Sequence, residues 1–235
     1  MDEAASAGSV KAKLGGLVAR ILRNASLDDL LTSRQHSRDF DQLRADSTLQ
    51  PVHLRALALA AAALLWIPVD FLYLEPELAR HLLYLRLGFS GGFLAVGLWT
   101  GGRHSARLMR LRMALLVLIP ALFYVGSRAA VGGGLPGQGV MVGYSFLPFL
   151  IAALLGIFPL TFKEGGLYAA VLLGAVVGAD VAYGTLLSLD GMRDLWLLVL
   201  LFVVAFWGQL SQLDMLLRLH REATRDALTG LVNRR

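Results

Sequence analysis

Cysteine is absent from the 235-residue chain, which excludes disulfides, thiolate metal sites and cysteine nucleophiles and leaves the redox compartment open. Charge is scarce too. Asp, Glu, Lys and Arg make up 17% of the residues and hydrophobic residues 56%, against about 25% and about 45–50% in an ordinary soluble domain. That balance argues against a soluble globular enzyme. No Ser-His-Asp or His-Glu-x-x-His arrangement occurs. The glycine-rich stretch 132–139 lacks the Gly-Lys-Ser/Thr ending of a phosphate loop and reads as a flexible connection. His36, His53, His81, His104 and His220 do not oppose one another at a common depth, so neither a haem nor a metal site is expected.

What is present is apolar sequence in long blocks, the signature of bilayer spans rather than of one large core. Lys and Arg number 22 against 17 Asp and Glu, a net charge of +5, and they gather in the tails and one loop. The anionic partner this fits is the membrane lipid surface, and nucleic acid is not expected.

Residues 1–50 carry Lys11, Lys13, Arg20, Arg23, Arg34, Arg38 and Arg44 with no clean apolar core before Pro51, so they do not read as a signal peptide and the first hydrophobic block stays as an anchor. Within 10–31, Val10, Leu14, Leu17, Val18, Ile21 and Leu22 recur at three and four, which predicts an amphipathic helix. Ser26 and Asp29 predict a helix restart. Such a segment lies on the cytoplasmic leaflet or packs on protein, its own or a second subunit, and the periodicity leaves both open.

Six spans are expected, near 52–74, 82–100, 111–131, 140–160, 165–187 and 194–215, each close to the roughly 20 residues that cross about 30 Å of hydrocarbon. The fold class is therefore an all-α polytopic membrane protein with a cytoplasmic segment at 1–50, a six-helix sensor domain at 51–208, a signalling helix at 209–225 and a further domain beginning at 226–235. Lys and Arg concentrate in the N-terminal tail, in the second connection (Arg103, Arg107, Arg110, Arg112), around Lys163 and in the C-terminal tail, which places both tails in the cytoplasm.

Charges inside spans are costly, about 2.5–3.5 kcal/mol each on insertion scales, so they need a partner or a function. Asp70, Arg86, Arg128 and Asp180 all fall in the outer part of their spans, and Tyr73, Tyr84, Tyr124, Tyr144 and Tyr183 share that layer. Together they form the candidate ligand-binding site. The competing reading is that the aspartates neutralise the arginines to hold helix register while the tyrosines make an interfacial belt. Pro68, Pro120, Pro148 and Pro159 predict kinks. Gly88/Gly92, Gly97/Gly101 and Ala170/Gly174/Gly178/Ala182 offer small residues at four-residue spacing, expected to pack within one subunit.

After Trp207-Gly208 the last span continues without Pro or Gly, and Leu210, Leu213, Leu217, His220 and Thr224 follow three-four spacing. This predicts a helix leaving the membrane with a short coiled-coil seam for signal transmission. The chain then reads Asp226-Ala227-Leu228-Thr229-Gly230-Leu231-Val232-Asn233-Arg234-Arg235. At every fixed position this resembles the Asp-x-Leu-Thr-Gly-Leu-x-Asn-Arg-Arg stretch that opens the GGDEF domain of diguanylate cyclases, and the preceding spans resemble in general character the membrane-associated sensor (MASE-type) domains such cyclases carry.

The resemblance implies a bacterial inner-membrane receptor, homodimeric because two GGDEF domains, each holding one GTP, must face each other to make cyclic di-GMP. It assigns Asp226, Leu228, Thr229, Gly230, Leu231, Asn233, Arg234 and Arg235 to the junction between helix and domain, not to nucleotide or metal ligation. The family's signature Gly-Gly-Asp/Glu-Glu-Phe and its metal-binding Asp would follow Arg235, so GTP and magnesium belong to that later part. Residues 1–235 are expected to hold no cofactor and no cyclase activity, and to answer to a small-molecule or lipid signal. A small transporter or an integral-membrane enzyme using the polar outer layer is the alternative.

Overall fold

A single apolar run satisfies its backbone polar groups from within only as a helix. The computed structural model describes residues 27–33, 36–99, 105–132 and 142–224, and among them the secondary structure is entirely helical. The helices are α1 (Leu27–Leu31), α2 (Arg38–Leu65), α3 (Ile67–Tyr73), α4 (Pro76–Leu98), α5 (Ala106–Ala130), α6 (Val142–Ser145), α7 (Leu147–Leu155), α8 (Phe162–Ala182) and α9 (Leu189–Thr224). Five units are long and apolar enough to cross a membrane: α2 with α3, α4, α5, α8 and α9. This is an all-α architecture compatible with a membrane protein. In place of one helix over 140–160 there is the short apolar pair α6 and α7, broken at Phe146 and ending at Gly156. Pro148 opens α7 and Pro159 follows it, which bounds the helix on both sides. Pro68 likewise sits in the first turn of α3 after the break at Trp66, whereas Pro120 lies inside an unbroken α5.

Helix α2 begins at Arg38, capped by the Ser37 hydroxyl on Phe40 N, and runs through Pro51. The boundary expected at 51 therefore falls inside a helix. Residues on either side of the proline, Leu49 and Val52, are fully buried, and that packing outweighs the roughly 3 kcal/mol a mid-helix proline costs. One core joins Ala56 and Ala60 of α2, Leu82 and Phe93 of α4, Met113 and Leu116 of α5, Ile151 of α7, Leu172 of α8, and Leu198 and Phe202 of α9. The outside is apolar as well: Leu65 is 78% and Val204 67% exposed, a surface suited to lipid and not to water.

Contacts between helix ends give the bundle two recognisable ends. Arg44 meets Glu164, and His53 meets Gly97, at what we call the tail end. Asp70, Arg128 and Thr185 mark the far end. Helix α9 spans the whole length and continues past the tail end, 36 residues without interruption, or about 54 Å at about 1.5 Å per residue. The continuation expected beyond Gly208 is thus helical to Thr224. Its expected seam is used inside the chain: Leu213 and Leu217 are buried against Leu30 of α1 and Phe40 of α2, with Leu210 packed alongside. The His220 ring lies 5.4 Å from that of Phe40, and the Thr224 hydroxyl donates to His220 O. The correction is one of partner. An apolar stripe joins the nearest complementary surface, and here α1 and α2 supply it.

The small-residue pattern of α8 is corrected in the same way. A methyl group on Gly174 or Gly178 would meet nothing within 4 Å, so this stripe is not packed within the chain. Of the glycines expected to pack on α4, Gly92 does so against Ile119 of α5 and Gly97 against Leu57 and His53 O of α2, and a further close approach occurs where Gly208 of α9 crosses Gly156, whose carbonyl oxygen would stand 2.6 Å from an added Cβ. Of the helix expected over 10–31, the described residues hold only Leu27–Leu31, as α1; residues 10–26 with the Ser26 cap, and the motif at 226–235, lie outside the described residues.

Candidate functional site

The four charges at the far end resolve into two pairs. Asp70 on α3 and Arg86 on α4 are 1% and 7% exposed. Arg86 donates Nε–H to Asp70 Oδ2 at 2.5 Å, and Nη2–H to Oδ1 at 3.3 Å and to the Tyr144 hydroxyl at 2.6 Å. Its guanidinium carbon also stands 4.8 Å from the Tyr144 ring centre and 5.7 Å from that of Phe123. Carboxylate, hydroxyl and two aromatic faces leave this cation enclosed.

The second pair is built where α8 ends. Gly184, at φ 68°, reverses the chain so that Thr185 N and Leu186 N return to Asp180 O, the left-handed glycine that commonly terminates a helix. The Thr185 hydroxyl donates to Asp180 Oδ1 at 2.7 Å, and Arg128 of α5 donates Nη2–H to the same Oδ1 at 2.8 Å and to Thr185 Oγ1 at 2.7 Å. The Tyr183 ring lies 5.9 Å from the guanidinium carbon. Arg128, Asp180, Thr185 and Tyr124 line a cavity of about 690 Å³ between α5, α7, α8 and α9, whose other walls include Phe149, Leu150, Ala153, Leu197 and Leu201. Each arginine has its own carboxylate. The tyrosines divide: Tyr124 and Tyr144 are buried, Tyr183 is 39% exposed with its ring toward Arg128, and Tyr73 and Tyr84, 72% and 70% exposed, face outward and join neither pair.

A second polar cluster at the tail end has no counterpart in the sequence reading. Arg44, fully buried, donates from Nη1 and Nη2 to Glu164 Oε2 and Oε1 at 3.0 and 3.1 Å, with Arg110 Nε 3.4 Å from Oε1. Glu164 also closes a capping box with Thr161 at the start of α8. The signal was present as Thr161-Phe162-Lys163-Glu164, a Thr-x-x-Glu pattern, in a stretch read only as a loop. Beside it, Arg112, 1% exposed, donates Nη2–H to Trp99 O and Nη1–H to His53 Nε2, while His53 Nδ1 donates to Gly97 O. An arginine cannot accept, so Nε2 must be the acceptor and His53 is neutral with its proton on Nδ1. Two backbone carbonyls at the end of α4, those of Gly97 and Trp99, are thereby tied to α2 and α5.

Among the described residues no cluster of three His, Asp or Glu is placed to hold a metal ion. The chain matches no protein-family model, no curated protein and no solved structure.

Proposed function

We propose that this chain is the transmembrane sensory input and dimerisation module of a diguanylate cyclase, controlling synthesis of cyclic di-GMP from two GTP by a GGDEF domain that opens with Asp226 to Arg235. One observation carries the reading. Helix α9 is continuous from the far-end cavity to Thr224, two positions ahead of that motif, so a change at one end has a rigid route to the other. In this reading the short pair α6 and α7 completes a sixth span, both tails lie in the cytoplasm of a bacterial cell by the distribution of Lys and Arg, and the membrane is the inner one.

Two copies face each other so that their output domains meet. Since α1 and α2 cover Leu213 and Leu217, the pairing uses the opposite side of α9, where Met215 and Leu219 are 58% and 50% exposed at four-residue spacing. A signal at the far end biases two arrangements of the paired helices.

The test is formation of cyclic di-GMP from GTP and magnesium in nanodiscs, by residues 1–235 and by the same reading frame continued to its natural end. Product from the longer protein alone supports the proposal. An inactive longer protein overturns it.

A further inference from the structure

The last turns of α9 are held by a short strap. Leu30 of α1 is buried against Leu213 and Leu217, and Asp29 accepts from Arg221 Nη2 at 3.0 Å. His36, just ahead of the Ser37 cap, ties this strap to the start of α2. Its ring lies edge-on to Phe40 at 4.8 Å, and Phe40 in turn meets the His220 ring of α9.

The His36 side chain is 1% exposed, and both of its ring nitrogens face acceptors. Nε2 stands 2.8 Å from Asp29 O, and a carbonyl only accepts, so Nε2 carries a proton. Nδ1 stands 3.4 Å from Asp41 Oδ1, and these two atoms are buried without a hydrogen-bond partner. In a neutral ring Nδ1 is a bare lone pair opposite a carboxylate oxygen, which leaves two acceptors sealed against each other at a cost to both. A second proton, on Nδ1, turns that opposition into a charge-assisted contact. His53 is the contrast: an arginine faces one of its nitrogens, so a single proton serves it.

The charged and titratable neighbours come from three helices. Asp29 stands on α1, Asp39 and Asp41 in the first turn of α2, and His220 and Arg221 on α9. Arg221 is paired with Asp29, and the two first-turn aspartates offset the cost of a cation at a helix N-terminus. His220 also titrates near neutral pH and shares the Phe40 ring with His36, so a test must separate the two. We propose that α1 is a proton-operated strap: protonated His36, bonded to Asp29 O and Asp41, fastens α1 over Leu213 and Leu217, and loss of the proton loosens it. The fastened ring holds two protons, whereas a released ring in water sheds one near about pH 6.5, so fastening strengthens as pH falls and weakens as it rises. The strap rests on the neighbours of His36 and not on the sensor reading; joined to that reading, it makes the signalling helix answer to pH on the tail-end side.

The experiment is hydrogen exchange together with ¹⁵N spectra of histidine-labelled protein, on residues 1–235 in nanodiscs at about pH 6 and about pH 8, either side of an ordinary histidine. At the lower pH, His36 is expected to carry protons on both nitrogens while His53 keeps one. Protection factors over Leu27–Leu31 should be about ten-fold higher there than at the higher pH, the value of a hydrogen bond to a charged group. Leu198 and Phe202, in the separate core, should not change.

Asp41→Asn offers Nδ1 a donor in place of an acceptor, so the neutral ring is satisfied and protection of α1 should be the same at both pH values. His36→Phe keeps a ring against Phe40 and removes both nitrogens, and should hold α1 at the unaltered chain's high-pH level throughout. His220→Gln should leave the pH dependence as it was. A His36 that is neutral at the lower pH, or equal protection of the unaltered chain at both, overturns the proposal. So does a pH dependence that outlasts Asp41→Asn, or one that is lost with His220→Gln while α1 stays protected.

Discussion

Asp70 and Arg86 lie 16 positions apart on consecutive helices and meet through both carboxylate oxygens, with the guanidinium against the Tyr144 ring. The pair closes the angle between α3, a seven-residue helix, and α4. Both partners are nearly inaccessible, so the pair's own worth is small beside the cost of dividing it.

Asp70→Asn should lower stability by about 3–5 kcal/mol, because Arg86 is left charged and buried. The double replacement Asp70→Leu with Arg86→Met should recover most of that loss. Denaturant unfolding of the single and double variants in mixed micelles measures the difference, and a double variant as unstable as the single one would count against charge burial as the cause.

At the crossing of α7 and α9, Gly208→Ala should cost about 1–3 kcal/mol, since the new methyl group meets backbone that cannot swing away. Gly174→Ala, where nothing stands within 4 Å, should be neutral or stabilising by up to about 1 kcal/mol. The same unfolding measurement compares the two, and equal effects would contradict the crossing.

Thr161→Ala removes one half of the capping box and should cost about 1 kcal/mol. Hydrogen exchange should rise in the first turn of α8 and leave its last turn near Asp180 unchanged.

His53 should show the neutral tautomer protonated at Nδ1 in ¹⁵N spectra of the selectively labelled protein. Its two ring nitrogens face a donor and an acceptor that cannot exchange roles. Arg112→Lys should release this constraint, because a single ammonium does not reproduce the fork that holds both His53 and the Trp99 carbonyl.

Phe40→Ala should free the end of α9. Exchange protection should fall over 210–224 and persist around Leu198 and Phe202, since the two regions belong to separate clusters.

Much of this architecture is legible in the apolar runs, because span length and helix length obey the same arithmetic. Asp70, Arg86, Arg128 and Asp180 stand out as charges in apolar context, yet which aspartate meets which arginine depends on how the helices neighbour one another, and no spacing within the chain encodes that. Thr185 and Gly184 escape notice for the same reason: their role arises only when the chain reverses onto Asp180. Tyr73 and Tyr84 share the depth of the site but point away from it, and depth alone carries no direction. Arg44 was readable as a charge in a tail, while its partner Glu164 stands 120 positions later.

The contact between Gly156 and Gly208 divides α9 into two nearly equal arms. From Gly208 to Leu189 is about 28 Å and from Gly208 to Thr224 about 24 Å, at about 1.5 Å per residue. Backbone lies close to backbone there, with no side chain to cushion it. Were α9 to tilt as a rigid rod about this contact, one ångström at its Leu189 end would become about 0.8 Å the other way at Thr224, almost the full stroke.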